Sequence, residues 1–243
     1  MRGGSSYENY EKGDEYKNPF IKNEITSEAA KVISIFSTPI LKTNIGRDFT
    51  EEELQLFLMD IPMWKDEQKK MTPHRSKDHY LFDNFAEKLK DIKKFCEHHL
   101  KIYLKEIEGA NTDLAKLRIT QSWLNRTKPG ESQHLHHHSN SHLTAVLYIH
   151  CLPKDCINFN NRLHGMYNNM NFPLEKITEW NSDGVIIDVT EGDLVISPSG
   201  VAHFVDENKT KNRERISLSF NTFPIGEMGE YEGANQLKLW IIF

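Results

Sequence analysis

The spacing of apolar residues changes near Gly109. Before this point apolar side chains recur every three or four residues, the period of an amphipathic helix, and predict a helix from Phe82 to Ile107. A shorter helix is predicted to begin after Thr50, because Thr50 is a favoured N-cap and Glu53 completes a capping box with it. The stretch from Val32 to Ile45 is β-branched and partly alternating, which predicts an extended edge segment.

After Gly109 the chain consists of short strand-like runs separated by turn signals such as Lys128-Pro129-Gly130 and Glu191-Gly192-Asp193. Many short strands at regular spacing indicate an antiparallel sandwich or barrel. Since the helices come first and the strands second, we predict an all-β core with a helical layer, an α+β arrangement. The predicted strands are Leu117–Asn125, Leu143–Cys151, Ile157–Phe159, Gly184–Val189, Leu194–Ile196, Ala202–Val205 and Ile216–Thr222.

The chain of 243 residues suits one domain preceded by a short arm. Residues 1–27 are polar and rich in Gly and Ser, which predicts a disordered or loosely attached arm. Residues 28–243 are predicted to form a single domain. Within it, residues 28–110 form a mainly helical buttress with an edge strand, and residues 111–243 form the β core.

Composition bears on nucleic-acid binding, on the cellular compartment and on membrane association. The net charge of -5 disfavours wide, non-specific nucleic-acid binding, which needs clustered Lys and Arg. The three cysteines, Cys96, Cys151 and Cys156, make no paired framework, so we expect free thiols in a reducing compartment, the cytoplasm. The sequence has no hydrophobic leader and no run of about 18 apolar residues, so we expect neither a signal peptide nor a membrane span.

Five of the twelve histidines fall in one short stretch that begins at Gln133. If this stretch is extended, His134, His136 and His138 share one face and His137 points away. Two imidazoles two residues apart on one strand face can bind the same metal ion, and imidazole suits Fe, Zn, Cu and Ni. The pattern predicts a metal site but leaves open which two histidines bind.

A third ligand is expected from a distant strand. His203 follows the turn Pro198-Ser199-Gly200 and begins a predicted strand. A lone histidine at such a place is more often structural. A β-barrel brings distant strands side by side, however, so His203 can complete a site begun by two upstream histidines.

The segment that begins at Arg215 alternates between apolar and polar residues. Ile216 and Leu218 are predicted to face one way, and Arg215 and Ser217 the other. An arginine inside a barrel is costly unless an anion meets it. A dicarboxylate would meet it through a bidentate contact, with Ser217 adding a hydrogen bond. The alternative is an exposed face that carries Arg and Ser.

The chain carries, in order, His136-x-His138 with Asn140-Ser141, a strand ending in Tyr148, Pro198-Ser199-x3-His203, and Arg215-Ile216-Ser217-x-Ser219-Phe220-Asn221. This set resembles the 2-oxoglutarate- and Fe(II)-dependent oxygenases of bacteria and phages, which carry HxHPxS, FPSxxxH and RxSxSFN segments in that order. The resemblance covers roughly Leu117 to Phe223. Each motif alone is weak, but the ordered set is specific.

The resemblance implies a double-stranded β-helix, the jelly-roll or cupin-like fold, buttressed by N-terminal helices. It implies Fe(II) bound by His136, His138 and His203, with 2-oxoglutarate and O2 as further reactants. The cosubstrate contacts that it implies are Arg215, Ser217, Tyr148 and Asn125. The reaction would hydroxylate a small molecule or a protein side chain and release succinate and CO2. A homodimer is a further expectation.

The chain departs from the family pattern in its ligand set. The usual facial triad has two histidines and one carboxylate, whereas His138 stands at the carboxylate position. Three neutral ligands would leave the Fe(II) site one charge more positive. A register in which His134 and His136 form the pair stays open. Two rival functions also stay open: a cupin-like metalloprotein of non-oxygenase chemistry, which would not need Arg215 inside the barrel, and a non-catalytic binding module, which would leave the histidines apart.

Overall fold

The computed structural model describes residues 37–64, 74–160, 173, 175–178, 181–229 and 235–240. The chain divides into two units, Met1–Thr38 and Pro39–Phe243, and the features below belong to the second. The expected arm at residues 1–27 lies outside the described residues. The division of residues 28–243 into a helical buttress and a β core stays a prediction.

The β core consists of two antiparallel sheets. In chain order the strands are β1 (Leu41–Asn44), β2 (His74–Arg75), β3 (Ala115–Thr127), β4 (Gln133–His136), β5 (Leu143–His150), β6 (Cys156–Asn160), β7 (Gly184–Asp188), β8 (Asp193–Pro198), β9 (His203–Val205), β10 (Arg215–Met228) and β11 (Leu237–Leu239). The larger sheet has the order β1-β8-β5-β10-β3-β2, with β11 also paired to β10, and the smaller sheet has the order β4-β9-β6-β7. The predicted jelly-roll architecture is confirmed.

The two faces of the larger sheet have different partners because side chains alternate along a strand. On β10, Ile216, Leu218 and Phe220 enter an apolar core that they share with the helices. Arg215 and Ser217 on the same strand face the interior between the sheets, where they line a cavity. The larger sheet therefore separates an apolar layer from a polar one, and the site lies in the polar one.

The helices form the layer that covers the apolar face. The structure has α1 (Glu51–Gln55), α2 (Leu81–Asn84) and α3 (Lys90–Ile102), with π-helical turns following α1 at Leu56–Asp60 and α3 at Tyr103–Ile107. The predicted capping box is confirmed: the Glu53 backbone N–H donates to the Thr50 hydroxyl, and the Thr50 N–H donates to the Glu53 carboxylate. No helix in the described part of the chain is long and apolar enough to cross a membrane.

The long helix predicted from Phe82 to Ile107 is interrupted between α2 and α3. The start of α2 is fixed by a contact that the sequence does not reveal, since the Phe82 N–H donates to the Ser122 hydroxyl of β3 at 2.9 Å. The Phe82 ring also packs edge-on against Phe220, with ring centroids 5.8 Å apart. These two contacts hold the first turn of α2 against β3 and β10, whereas the apolar spacing of the sequence continues through the break that follows Asn84.

All seven predicted strands after Gly109 are present, with ends that differ by a few residues. The largest difference is β10, which continues to Met228 and pairs with β3 from Arg215 to Gly226. A register shift at Asn221 and Thr222 interrupts that pairing. The part of the predicted edge segment that the structure describes contains β1, which pairs with β8.

Candidate metal centre

Three histidines meet at one end of the smaller sheet. His136 ends β4 and lies opposite His203 of β9 in the antiparallel register. His138 follows two residues later, where its backbone N–H donates to the Ser199 carbonyl at 2.9 Å. One ring nitrogen from each histidine lies within 4.8 Å of the other two, a separation that a single metal ion can bridge.

Backbone carbonyls fix the orientation of two of these rings. The Nδ1 atom of His136 lies 2.8 Å from the His134 carbonyl oxygen, and that of His203 lies 3.1 Å from the Val201 carbonyl oxygen. A carbonyl oxygen only accepts, so each Nδ1 carries the proton and donates. Each ring therefore presents the lone pair of Nε2, the tautomer that metal-binding histidines adopt.

A side chain orients the third ring. His138 Nδ1 lies 2.7 Å from Asn221 Oδ1, and the Asn221 amide nitrogen donates in turn to Gln121 Oε1 at 3.2 Å. The indole of Trp123 stacks on the His138 ring, with centroids 5.7 Å apart and planes 23° apart. These contacts leave Nε2 of His138 as its free nitrogen. Sequence reasoning assigned no role to Asn221, although strand alternation places it on the same face as Arg215 and Ser217.

The three imidazoles are held in the neutral form. Burial lowers the pKa of His138 and of His203 to about 4, with the other histidines of the group adding to the effect. Burial also lowers the pKa of His136 below its ordinary value. Because metal ions bind the neutral imidazole, the rings are ready to bind at neutral pH without losing a proton.

His134 lies beside this group but outside it. Its side chain is exposed, and its ring centroid lies 5.4 Å from that of His136. The cluster of mutually close ring nitrogens contains His136, His138 and His203 and leaves His134 out. The register that pairs His134 with His136 therefore does not match the arrangement of the rings.

A cavity of about 280 Å³ opens beside the three histidines, between the two sheets. Most of the residues that line it are of polar types, and they include all seven residues that the sequence singled out. The lining residues are Arg75, His79, Gln121, Trp123, Asn125, Thr127, Gln133, His136, His137, His138, Val146, Tyr148, Ile157, His203, Val205, Arg215, Ser217, Ser219 and Asn221.

Arg215 is 6% exposed and meets an anion that belongs to the chain itself. Its Nε donates to both carboxylate oxygens of Asp155, at 2.7 and 2.6 Å, and its Nη2 donates to Oδ1. Asp155 is 3% exposed and lies between β5 and β6. Sequence reasoning required an anion for an interior arginine but missed Asp155, since no local pattern marks a single loop aspartate as its partner.

Tyr148 carries a buried hydroxyl without a hydrogen-bond partner in the described structure. The residue is 1% exposed and lies next to Ser217 in the register of β5 and β10. Burial raises the pKa of Tyr148 well above its ordinary value, and the Asp155 charge adds to this, so the hydroxyl keeps its proton. Such a hydroxyl lacks a hydrogen-bond acceptor, and a ligand in the cavity can supply one.

Asn125 has a partner within the wall of the cavity. Its amide nitrogen donates to the Ser219 hydroxyl at 3.0 Å, across the β3–β10 pair. Asn125 thus lines the cavity with one of its two amide protons already engaged, whereas the Tyr148 hydroxyl has no partner and part of the Arg215 guanidinium lies outside its contacts with Asp155.

The segment that holds these residues matches a known family. Residues 121–221 match the model of the family described as "Putative 2OG-Fe(II) oxygenase". The matched segment contains His136, His138, His203 and Arg215. A search of curated proteins finds no match to this chain.

Solved structures resemble the fold. SnoK, a non-heme α-ketoglutarate-dependent carbocyclase from nogalamycin biosynthesis, has a TM-score of 0.51 at 14% identity, over 76% of this chain and 79% of SnoK. HygX from Streptomyces hygroscopicus, solved with nickel, 2-oxoglutarate and hygromycin B, has a TM-score of 0.46 at 14% identity, over 76% of this chain and 82% of HygX. A prolyl-4-hydroxylase from Pseudomonas putida has a TM-score of 0.44 at 18% identity, over 76% of this chain and 93% of its own. The likeness to SnoK establishes a shared double-stranded β-helix.

Proposed function

We propose that this chain is a member of the 2-oxoglutarate dioxygenase superfamily and that His136, His138 and His203 bind its Fe(II) through their Nε2 atoms. One observation carries the proposal: three imidazoles converge with each Nδ1 already engaged and each Nε2 left free. Neutral imidazole is a ligand that iron accepts. The ligand set then differs from the usual triad by a histidine in place of the carboxylate.

We propose further that 2-oxoglutarate binds in the cavity with its distal carboxylate near Arg215, Tyr148 and Ser217. The unpartnered Tyr148 hydroxyl supports this, because a carboxylate supplies the acceptor that it lacks. Arg215 lines the same cavity and keeps Nη1 outside its contacts with Asp155. The donor set therefore fits an anion. Asn125, which donates to Ser219, is proposed as a wall residue that bounds the cosubstrate.

When bound, iron and 2-oxoglutarate supply the oxidising chemistry, in which O2 is consumed, 2-oxoglutarate becomes succinate and CO2, and the substrate is hydroxylated. The chain's own residues hold and orient these reactants. The engaged Nδ1 atoms keep the imidazoles aimed at one point, and Trp123 covers one face of His138. The apolar side chains of Val146 and Ile157 line the cavity wall and reduce its access to water.

The substrate is proposed to be polar. Gln121, Gln133 and His79 line the cavity and offer hydrogen bonds to a small molecule or a protein side chain.

We also propose a cytoplasmic setting, because all three cysteines are free thiols. A homodimer through the exposed Leu237 and Trp240 is a further proposal, and measurement of the mass in solution tests it.

The geometry favours this function over a cupin-like metalloprotein of different chemistry. Such a protein has no need of an arginine inside the barrel, yet Arg215 is buried and lines the cavity beside the histidines. A non-catalytic module would leave His136, His138 and His203 apart, whereas their ring nitrogens converge.

Anaerobic addition of Fe(II) and 2-oxoglutarate to the purified protein tests the assignment. We expect the visible charge-transfer band of the iron chelate in the wild type and its loss in His203→Ala, because two imidazoles alone hold iron weakly. On exposure to air, the wild type should convert 2-oxoglutarate to succinate.

His134→Ala is the matched control, since it removes a neighbouring exposed histidine of the same stretch. It should keep the band and the succinate yield. A band that disappears in His134→Ala and persists in His138→Ala would instead assign the metal to the His134 and His136 pair. A wild type without any band would contradict the proposed function.

A further inference from the structure

We propose that Asp155 weakens the binding of 2-oxoglutarate, because its carboxylate already neutralises the charge of Arg215. The distal carboxylate of 2-oxoglutarate then contributes less to the affinity than it would beside an unpaired arginine. The inference rests on the proposed function and concerns the same cavity. It assigns a specificity-determining role to a residue that does not itself line that cavity.

Arg215 stands between the cavity and Asp155. The arginine lines the cavity, whereas Asp155 borders a separate depression with Asp188. The contacts to Asp155 use Nε and Nη2 of the guanidinium. The two protons of Nη1 and the second proton of Nη2 are left for a ligand. A carboxylate in the cavity can thus share the guanidinium with Asp155.

Backbone hydrogen bonds hold the Asp155 carboxylate in place beside Arg215. Its Oδ2 accepts the Leu152 N–H at 3.2 Å, and its Oδ1 accepts the Cys156 N–H at 3.1 Å. Its side chain is 1% exposed and that of Arg215 is 7% exposed. Removing one partner from a buried ion pair leaves a costly unpaired charge. We therefore expect Asp155 to stay on Arg215 when the cosubstrate binds.

The position of the carboxylate determines how charge is distributed between the metal end and the arginine end of the site. In the usual facial triad a carboxylate lies on the metal. Here the metal ligands are three neutral imidazoles, and the carboxylate lies on the arginine. The total charge is the same, but the positive charge is concentrated at the metal end. The chelating end of a 2-oxo acid should contribute more of the affinity, and the distal carboxylate less.

Asp155→Asn tests this redistribution. Fe(II)-loaded protein is titrated anaerobically with 2-oxoglutarate and with 2-oxopentanoate, which lacks the distal carboxylate, and the visible band gives each dissociation constant. Carboxylates on two edges of one guanidinium lie roughly 6 Å apart, so removing the Asp155 charge should tighten 2-oxoglutarate binding by about tenfold or more. The constant for 2-oxopentanoate should change by less than about twofold, since that ligand does not reach the arginine.

Asp188→Asn is the matched control, because Asp188 borders the same depression but is exposed. It should leave both constants unchanged. The proposal is overturned if Asp155→Asn leaves 2-oxoglutarate binding unchanged, weakens it, or shifts both ligands equally. A wild type that forms no chelate with either acid contradicts the proposed function instead, so the two failures are distinguishable.

A second measurement needs no metal. Glutarate has both carboxylates but no 2-oxo group, and it should raise the melting temperature of metal-free Asp155→Asn more than that of the wild type, because it supplies the missing anion to Arg215. If the variant does not fold alone, we expect refolding with glutarate and not with sodium chloride of equal ionic strength. An equal glutarate shift in both proteins, or no refolding in either salt, overturns the proposal.

Discussion

At the scale of single residues, two buried tyrosines of the described structure differ in whether the hydroxyl has a hydrogen-bond partner within the protein. The Tyr103 hydroxyl donates to the Pro39 carbonyl at 2.8 Å and so contributes to stability. The Tyr148 hydroxyl has no partner and faces a cavity. A buried hydroxyl without a partner costs stability, so its presence is better explained by a ligand than by folding.

Tyr148→Phe should weaken 2-oxoglutarate binding by about tenfold, as expected for one lost hydrogen bond to a charged group. The same change should leave the stability of the ligand-free protein unchanged or higher, because no hydrogen bond is lost on folding. Anaerobic titration of the iron chelate gives the first quantity, and urea unfolding gives the second.

Tyr103→Phe is the control for this prediction. It should lower the free energy of unfolding by about 1 kcal/mol and leave 2-oxoglutarate binding intact. Should the two variants behave alike in both measurements, the proposed contact between Tyr148 and the cosubstrate would be wrong.

At the scale of elements, strand alternation carried most of the predictive information. The pattern from Arg215 to Phe220 predicted that the apolar residues share one face and that Arg215 and Ser217 share the other, and the structure bears this out. The start of α1 was equally readable, because a capping box is a local pattern. The break between α2 and α3 was not, since the three- and four-residue spacing of apolar residues continues across it.

The capping box of α1 also predicts a pH-dependent contribution to stability. Glu53 is 4% exposed and accepts hydrogen bonds from Arg47 and Thr50. Burial alone would raise its pKa, but the bonds to Arg47 and Thr50 prevail, and the pKa of Glu53 lies below its ordinary value of 4.5. A carboxyl group with a lowered pKa stabilises the fold above its unfolded pKa and loses this effect as the pH falls through the folded value.

Glu53→Gln should therefore lower the free energy of unfolding at pH 7 by about 1 to 3 kcal/mol. The difference from the wild type should shrink as the pH falls below about 4. Urea unfolding at a series of pH values measures it. Glu52→Gln, in the same helical turn but exposed, should have little effect at any pH. A difference for Glu53→Gln that stays constant down to pH 3 would show that the charge has no part in it.

At the scale of the whole molecule, the site depends on closure of two sheets. The ordered motifs indicated that His136, His138, His203 and Arg215 act together, because their types and spacing resemble a family pattern. Sequence could not indicate Asp155 as the partner of Arg215, or Asn221 as the acceptor for His138. Both contacts join segments brought together only by the fold, and neither has a local signature.

A metal ion that links the end of β4 to β9 should stabilise the whole domain. Saturating Zn(II), which is not oxidised in air, should raise the melting temperature of the metal-free protein by roughly 10 °C, as expected for binding about a thousandfold above its dissociation constant. EDTA should reverse the rise. His203→Ala should lose it and His134→Ala should keep it. Equal stabilisation of both variants would place the metal elsewhere.

The stacking of Trp123 on His138 gives the protein an optical reporter of its own active centre. The indole contacts the ring of a proposed iron ligand and lines the cosubstrate cavity. Its fluorescence is therefore sensitive to the arrival of a metal with unpaired electrons and to changes in the polarity of the cavity. The difference in emission between the wild type and Trp123→Phe isolates this signal from the other indoles. Occupancy of the site can then be followed in real time without a label, a coloured product or turnover.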